Sequence, residues 1–87
     1  MENRLDGNAA AGALQGIFPF EMTRARVTCT NCGSLHLIGE TVAYMSGIGT
    51  VIRCPGCDNA LIRVTTVRGQ HHLDMRGMSL LQVDGEE

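Results

Sequence analysis

Four cysteines, arranged as two C-x-x-C pairs, are the residues of this sequence with the clearest potential for chemistry. Cys29 and Cys32 form the first pair, 21 residues follow, and Cys54 and Cys57 form the second pair. A tetrahedral zinc site takes four thiolates at about 2.3 Å, and one C-x-x-C turn can direct two sulfurs at the same point. We therefore predict a structural metal site whose ligands are all four cysteines and whose ion is zinc.

The residues beside the cysteines favour the tight turns that such a site requires. The spacer between the pairs is slightly longer than the usual spacing of about 15–20 residues, which a longer hairpin accommodates. Gly33 follows the first pair and Asp58 the second, and both residue types tolerate the left-handed backbone region. Pro55 stiffens the second turn. We expect Asp58 to be exposed or hydrogen-bonded to its turn, because a carboxylate buried beside thiolates is unfavourable.

The chain is too short to build a large hydrophobic core. Its 87 residues predict one domain spanning 1–87. Aromatic residues make up 3% of the sequence and Trp is absent. A structural zinc ion contributes on the order of 10–16 kcal/mol of apparent binding free energy in small peptides. We therefore expect the metal to be required for the fold.

The two ends of the chain differ from its middle. Small and apolar residues at helical spacing predict a short N-terminal α-helix over 6–17, with Asp6 as its N-cap. This helix could pack on its own sheet or dock on a partner. Residues 1–5 are expected to be mobile, and the acidic tail, 84–87, is expected to be disordered.

The middle of the chain, residues 24–83, shows the alternation of apolar and polar residues that predicts a β core. One strand leads into the first cysteine turn, and a second is predicted over 35–45 with a bulge at Gly39. A hairpin turn follows at 46–49, and 60–67 is a clear strand. The predicted fold class is a small, mainly-β zinc ribbon, in which an antiparallel sheet carries both cysteine turns and a short helix precedes it.

Four arginines are predicted to lie on strands that flank the metal: Arg24, Arg26, Arg53 and Arg63. They could screen the anionic thiolates or form one positive face that binds a phosphate backbone. Screening is the favoured interpretation, because the sequence offers few aromatic side chains for base stacking.

The histidines are weaker candidates for a site. His71 and His72 point to opposite faces of a strand and cannot easily share an ion, whereas His72 and Asp74 share a face. We interpret them as exposed strand residues, and we expect His36 at the surface as well. The sequence contains no nucleophile paired with a base, no paired catalytic carboxylates and no phosphate-cradling loop, so we predict a protein that is not an enzyme.

The cellular compartment is predicted from what surrounds the cysteines. The apolar segment 9–20 is too short to span a membrane, and the start of the chain lacks the pattern of a signal peptide. Without an export signal, C-x-x-C pairs are typical of metal ligands or redox thiols rather than disulfides. Redox catalysis is less favoured because no long helix follows Cys32. We expect a cytoplasmic protein that does not bind membranes.

Several motifs resemble known families. The C-x-x-C-G and C-P-x-C turns resemble those of zinc-ribbon proteins over about 24–67, which implies a metal but no particular function. The whole chain, with L-D-G-N-A at 5–9, R-C-P-G-C at 53–57 and M-R-G-M at 75–78, resembles a family of short uncharacterised actinobacterial proteins, which implies a single domain without catalytic residues. The turns also resemble rubredoxin, which carries iron; the scarcity of aromatic residues and the presence of Asp58 disfavour it.

These observations favour a non-enzymatic zinc-binding module that acts by binding a protein partner. The N-terminal helix and the strand 60–67 are the candidate contact surfaces. The first alternative is a rubredoxin-like iron electron carrier, and the second is a nucleic-acid-binding zinc ribbon that uses the arginine face.

Overall fold

The computed structural model describes residues 3–18 and 20–84. Its α-helix, α1, spans Gly7–Gln15. In chain order, the strands of the described residues are β1 (Asn3–Asp6), β2 (Arg26–Cys29), β3 (Leu35–Leu37), β4 (Val42–Met45), β5 (Gly49–Arg53), β6 (Ala60–Val67), β7 (Gln70–Asp74) and β8 (Met78–Gln82).

The strands form two antiparallel sheets. The larger sheet has five strands in the order β1-β4-β5-β6-β7, and the smaller has three in the order β3-β2-β8. Apolar side chains from both sheets and from α1 meet in a single buried cluster. The prediction of a small, mainly-β antiparallel fold with a short helix is therefore confirmed, with the strands divided between two sheets.

The N-terminal residues differ from the prediction. The expectation that 1–5 are mobile is wrong for residues 3–5, which belong to β1 and pair with β4; residues 1 and 2 lie outside the described part. Without β1, the backbone N–H and C=O groups along one side of β4 would have no strand partner. Asp6 ends this strand, so α1 begins at Gly7 and is shorter than the predicted 6–17.

The α-helix packs on the chain's own core. Leu14 is fully buried, and its carbonyl accepts the N–H groups of Ile17 and Phe18 just beyond the helix. At the other end, a Cβ on Gly7 would collide with the carbonyl oxygen of Ile38. The start of α1 therefore lies directly against the segment that joins the two sheets.

The continuous bulged strand predicted over 35–45 is wrong. β3 and β4 belong to different sheets, and a 3₁₀ turn, Ile38–Glu40, separates them. Ile38 is fully buried, and the hydroxyl of the buried Thr41 donates to the Ile38 carbonyl at 2.6 Å. Burial of these two side chains redirects the chain from the smaller sheet into the larger one.

The predicted limits of the β core, 24–83, also shift. Met22–Arg24 form a 3₁₀ turn, so the first strand of the core begins only at Arg26. At the other end, Asp84 lies 3.3 Å from the guanidinium of Arg26. The remainder of the predicted disordered tail, residues 85–87, lies outside the described part of the chain.

Candidate metal centre

The first cysteine turn joins β2 to β3 in the smaller sheet. The N–H of Gly33 donates to the carbonyl of Cys29 at 2.9 Å, and the N–H of Cys29 donates to the carbonyl of Ser34 at 3.0 Å. Gly33 has a φ of 76°, which glycine adopts without steric cost. These bonds curl the backbone around the sulfurs of Cys29 and Cys32.

The second cysteine turn joins β5 to β6 in the larger sheet and repeats the same pattern. The N–H of Asp58 donates to the carbonyl of Cys54 at 2.9 Å, and the N–H of Cys54 donates to the carbonyl of Asn59 at 2.8 Å. Asp58 occupies the left-handed position, with a φ of 66°, and its side chain is exposed. The predicted exposure of Asp58 is confirmed.

The two turns bring all four sulfurs together. Cys29 Sγ lies 3.6 Å from Cys57 Sγ, and Cys32 Sγ lies 3.7 Å from Cys54 Sγ; all four atoms lie within 4.8 Å of one another. A tetrahedron with metal–sulfur bonds of about 2.3 Å has edges of about 3.8 Å. The spacing therefore fits one tetrahedral ion, and it is far too long for a disulfide bond of about 2.05 Å.

The four thiols differ in exposure. Cys29 and Cys54, the first member of each pair, are buried at 2% relative exposure, whereas Cys57 is half-buried and Cys32 is exposed. The first member ends or directly follows a strand and points into the shared core, and the second lies on the outer part of its turn. The centre therefore lies at the rim of the core, where the two sheets meet.

Hydrogen-bond donors surround the Cys29 sulfur. Burial favours its neutral form, but the N–H groups of Cys32 and Asn31 donate towards it, and so does the side-chain amide of Asn59, whose nitrogen lies 3.5 Å away. Together the donors lower the pKa of Cys29 to about 6. Thiolates are the form that binds a metal, so this environment suits a ligand.

The pKa values of the two outer thiols, Cys32 and Cys57, shift in opposite directions. The hydroxyl of Ser34 lies 2.9 Å from Cys32 Sγ. This hydroxyl and the backbone N–H of Ser34 both lower the pKa of Cys32. Asn31 and the N–H of Asn59 donate towards Cys57, but partial burial and the neighbouring sulfurs of Cys29 and Cys32 raise its pKa. Such competition between sulfurs is expected of thiols placed close enough to share one cation.

A backbone carbonyl outside the cysteine turns links them to each other. The carbonyl of Gly77, just before β8, accepts the backbone N–H and the hydroxyl of Thr30, both at 3.0 Å. It also accepts the side-chain amide of Asn59 at 3.1 Å. Thr30 belongs to the first turn and Asn59 to the second, so this carbonyl fixes their relative position. Sequence reasoning missed both Asn59 and Gly77, since nothing local marks a contact between segments this far apart.

His36 connects to the centre through a serine. Its Nε2 lies 2.9 Å from the hydroxyl of Ser34, which also contacts Cys32, and its side chain is half-buried rather than at the open surface as expected. In β7, the exposed His71 contacts the Thr66 hydroxyl at 3.0 Å. Among the described residues, the four cysteines form the one group of three or more metal-ligating side chains, so neither His71 nor His72 belongs to such a group.

The four arginines do not gather on one element. Arg24 lies in the 3₁₀ turn before β2, and Arg26, on β2, binds Asp84. Arg53 and Arg63 instead line a hollow of about 450 Å³ beside the second cysteine turn, together with Thr30, Asp58, Asn59, Ala60, Asp74, Arg76 and Gly77.

Two of the charged side chains in this hollow, Asp74 and Arg76, form an ion pair. The guanidinium of Arg53 donates to the carbonyl of Asp58 at 2.9 Å and lies 5.7 Å from the centre of the Tyr44 ring. Arg76 donates to both carboxylate oxygens of Asp74, at 3.0 and 2.7 Å. These hydrogen bonds from Arg76, assisted by the charge of Arg63, hold the pKa of Asp74 well below its usual range.

None of the helices in the described part of the chain has the length and hydropathy of a membrane span.

Comparison with known proteins assigns the chain to a family. Neither the curated proteins nor the solved structures include a match to the sequence. A family model described as "Family of unknown function (DUF6510)" matches residues 1–86, and the chain belongs to that family.

Proposed function

We propose that this protein is a non-enzymatic zinc-binding module, in which a structural four-cysteine site supports a surface that binds a protein partner. The observation that carries the metal assignment is the convergence of four sulfurs within 4.8 Å from two turns with the same hydrogen-bond pattern. Cys29, Cys32, Cys54 and Cys57 would hold the ion, which would supply a cross-link between the two sheets.

The ligand set favours a structural ion over a catalytic one. Four cysteines close the tetrahedral shell, whereas catalytic zinc sites keep a position open for water or substrate. Iron fits the same shell, so the rubredoxin-like electron carrier is the alternative metal assignment. We rank zinc first because aromatic residues are scarce: the sequence contains one Tyr, two Phe and no Trp.

Exposed leucines on the smaller sheet support the partner-binding part of the proposal. Leu35, Leu37 and Leu80, here called the leucine face, are exposed on the side away from the core. Leu35 and Leu80 both lie opposite Thr28, so they form one row across three strands. Exposed apolar clusters of this kind are typical of protein-binding surfaces.

The two surfaces suggested by the sequence have less support. Leu14, the large apolar side chain of α1, is fully buried in the chain's own core. Both edges of β6 are already hydrogen-bonded, to β5 and to β7. The leucine face is therefore the better candidate, and nucleic-acid binding through Arg53 and Arg63 ranks below it because acidic groups share their hollow.

The metal assignment is tested by elemental analysis of the chain purified without added metal. We expect about one zinc per chain, as four ligands imply. Cys32→Ser should lose zinc to a mild chelator far faster than the wild type, because it removes one of the four ligands. Cys32 is exposed, so the substitution removes no buried side chain. Ser46→Ala, in the loop before β5, is the control and should keep its zinc. A red preparation that contains iron and is bleached by dithionite would establish the electron-carrier alternative instead.

The partner surface is tested by affinity capture from native lysate with matched variants. Leu35→Lys should remove the specifically captured protein, because a charge replaces an apolar contact at a site that is 53% exposed. Ile48→Lys makes the same change in a loop at 77% exposure and should leave capture intact. Equal recovery by both variants contradicts a role for the leucine face.

A further inference from the structure

The polar hollow beside the second cysteine turn has the size of a small-molecule site. Its volume is about 450 Å³, and ligand pockets of proteins are typically about 300–1,000 Å³. Apart from Ala60 and Gly77, every residue that lines it has a polar or charged side chain. A ligand that fits this hollow must therefore be polar and must supply hydrogen-bonding groups of its own.

Two arginines of neighbouring strands line this same hollow. Arg53 ends β5 and Arg63 lies in β6, and each directly follows an isoleucine, Ile52 or Ile62, that is buried in the core. Because successive side chains of a strand point to opposite faces, both guanidinium groups lie on the face of the larger sheet away from the core. Guanidinium groups bind phosphate oxygens through paired N–H donors, so two of them in one hollow match a phosphate group.

The donors of these two arginines are largely unused. Arg53 donates from Nη1 to the carbonyl of Asp58 at 2.9 Å, which leaves its other nitrogens available. No hydrogen bond or ion pair within the described part of the chain engages Arg63, whose side chain is exposed. Asp74, which lies opposite Arg63 on β7, is already bound by Arg76 through both carboxylate oxygens. Arg63 is therefore a cation of the hollow that the fold itself does not use.

Two carboxylates restrict the kind of phosphate that the hollow accepts. Asp58 and Asp74 lie among its lining residues, and their charge repels a polyanion that brings several phosphates. Ionised carboxylates are hydrogen-bond acceptors only, and hydroxyl groups are donors that suit them. A ligand with one phosphate and several hydroxyl groups therefore matches both the arginines and the carboxylates. This combination is the chemistry of a phosphorylated sugar.

We propose that the hollow binds a phosphorylated sugar, whose phosphate lies between Arg53 and Arg63 and whose hydroxyl groups donate to Asp58 and Asp74. The site lies on the larger sheet, so it is separate from the leucine face on the smaller sheet, and it uses none of the four cysteines. Asp58 belongs to the second cysteine turn, so an ion bound by that turn would hold one wall of the site in place. The inference goes beyond the proposed function and does not depend on the protein partner.

Titration of the full, metal-loaded chain tests the site, with two-dimensional amide NMR spectra as the readout. The probes are ribose 5-phosphate and glucose 6-phosphate, each compared with inorganic phosphate. At least one sugar phosphate should give saturable shifts at the amides around the hollow, with a dissociation constant of about 1 mM or below. Inorganic phosphate should bind at least about tenfold more weakly, because it lacks the sugar hydroxyl groups that donate to the carboxylates.

Matched arginine variants separate a specific site from a general attraction of anions. Arg63→Gln should weaken binding of the sugar phosphate by about tenfold or more, because it removes charge-assisted hydrogen bonds to the phosphate. Arg68→Gln removes the same charge from an exposed residue between β6 and β7 that does not line the hollow, and it should bind like the wild type. Both side chains are exposed, and dispersed amide spectra establish that both variants fold.

Three results overturn the proposal. The first is the absence of saturable shifts with either sugar phosphate at about 10 mM, well above the expected dissociation constant. The second is an equal affinity for inorganic phosphate, which would reveal an adventitious ion only. The third is an equal affinity of Arg63→Gln and Arg68→Gln for the sugar phosphate, which would show that the hollow does not select its ligand through Arg63.

Discussion

Removal of the metal under reducing conditions is expected to abolish the dispersed amide NMR spectrum of the chain. Each sheet contributes one cysteine turn, so an ion bound by all four cysteines would cross-link the two sheets. Net stabilities of domains are about 5–15 kcal/mol, and a structural zinc site contributes on the order of 10–16 kcal/mol in small peptides. Loss of the ion is therefore expected to remove a free energy comparable to the whole stability of a small domain.

The experiment compares two-dimensional amide spectra before and after chelation, with a reductant present to keep the thiols free. Addition of zinc should restore the original spectrum, and this recovery is the control for irreversible damage. The buried thiols of Cys29 and Cys54 make the expected loss global, because both belong to the apolar core. An unchanged spectrum in a chain shown to be metal-free would contradict a structural role for the centre.

Gly77→Ala is expected to destabilise the metal-loaded chain by about 2–4 kcal/mol. A Cβ at this position would collide with the carbonyl oxygen of Ala60 and lie 2.9 Å from the Cα of Leu61. Both atoms belong to the backbone of β6, which pairs with β5 at Ala60, and the side chain of Leu61 is buried in the core, so this backbone cannot move aside cheaply. Displacement of Gly77 would also pull its carbonyl away from Thr30 and Asn59.

Denaturant unfolding at a fixed zinc concentration measures this effect. Gly47→Ala is the matched control, since a Cβ there meets nothing within 4 Å and its backbone has no positive φ. The control should change the free energy of unfolding by no more than about 0.5 kcal/mol. Equal free energies of unfolding for the two variants would contradict the prediction, because they would show that the backbone at Gly77 can shift away from β6 without cost.

The cysteine turns could be predicted because their determinants are local. The two C-x-x-C spacings, together with Gly33 and Asp58 at the left-handed positions, lie within a few residues of the sulfurs that they arrange. The same locality explains why the hairpin between β4 and β5 and the strand β6 were recognised. In each case the residues that fix the backbone are neighbours in the sequence.

The elements that sequence reasoning missed depend on distant parts of the chain. β1 exists because β4, almost 40 residues later, offers an edge. The break at Ile38 follows from burial against the core, and the alternation of residues on either side gives no sign of it. The arginines were grouped by sequence alone, but Arg26 lies in one sheet and Arg53 and Arg63 in the other, so only the topology could separate them.

The placement of one cysteine pair on each sheet has a consequence for the order of assembly. β2 with β3, and β5 with β6, are hairpins of contiguous residues, and closing such short loops carries a small entropic cost. Each half of the coordination shell can therefore form early and on its own. The pairings of β1 with β4 and of β2 with β8 span long stretches of chain and are kinetically slow. An ion bound by both preformed hairpins would shorten those stretches, and it would then act as a nucleus for the rest of the folding reaction.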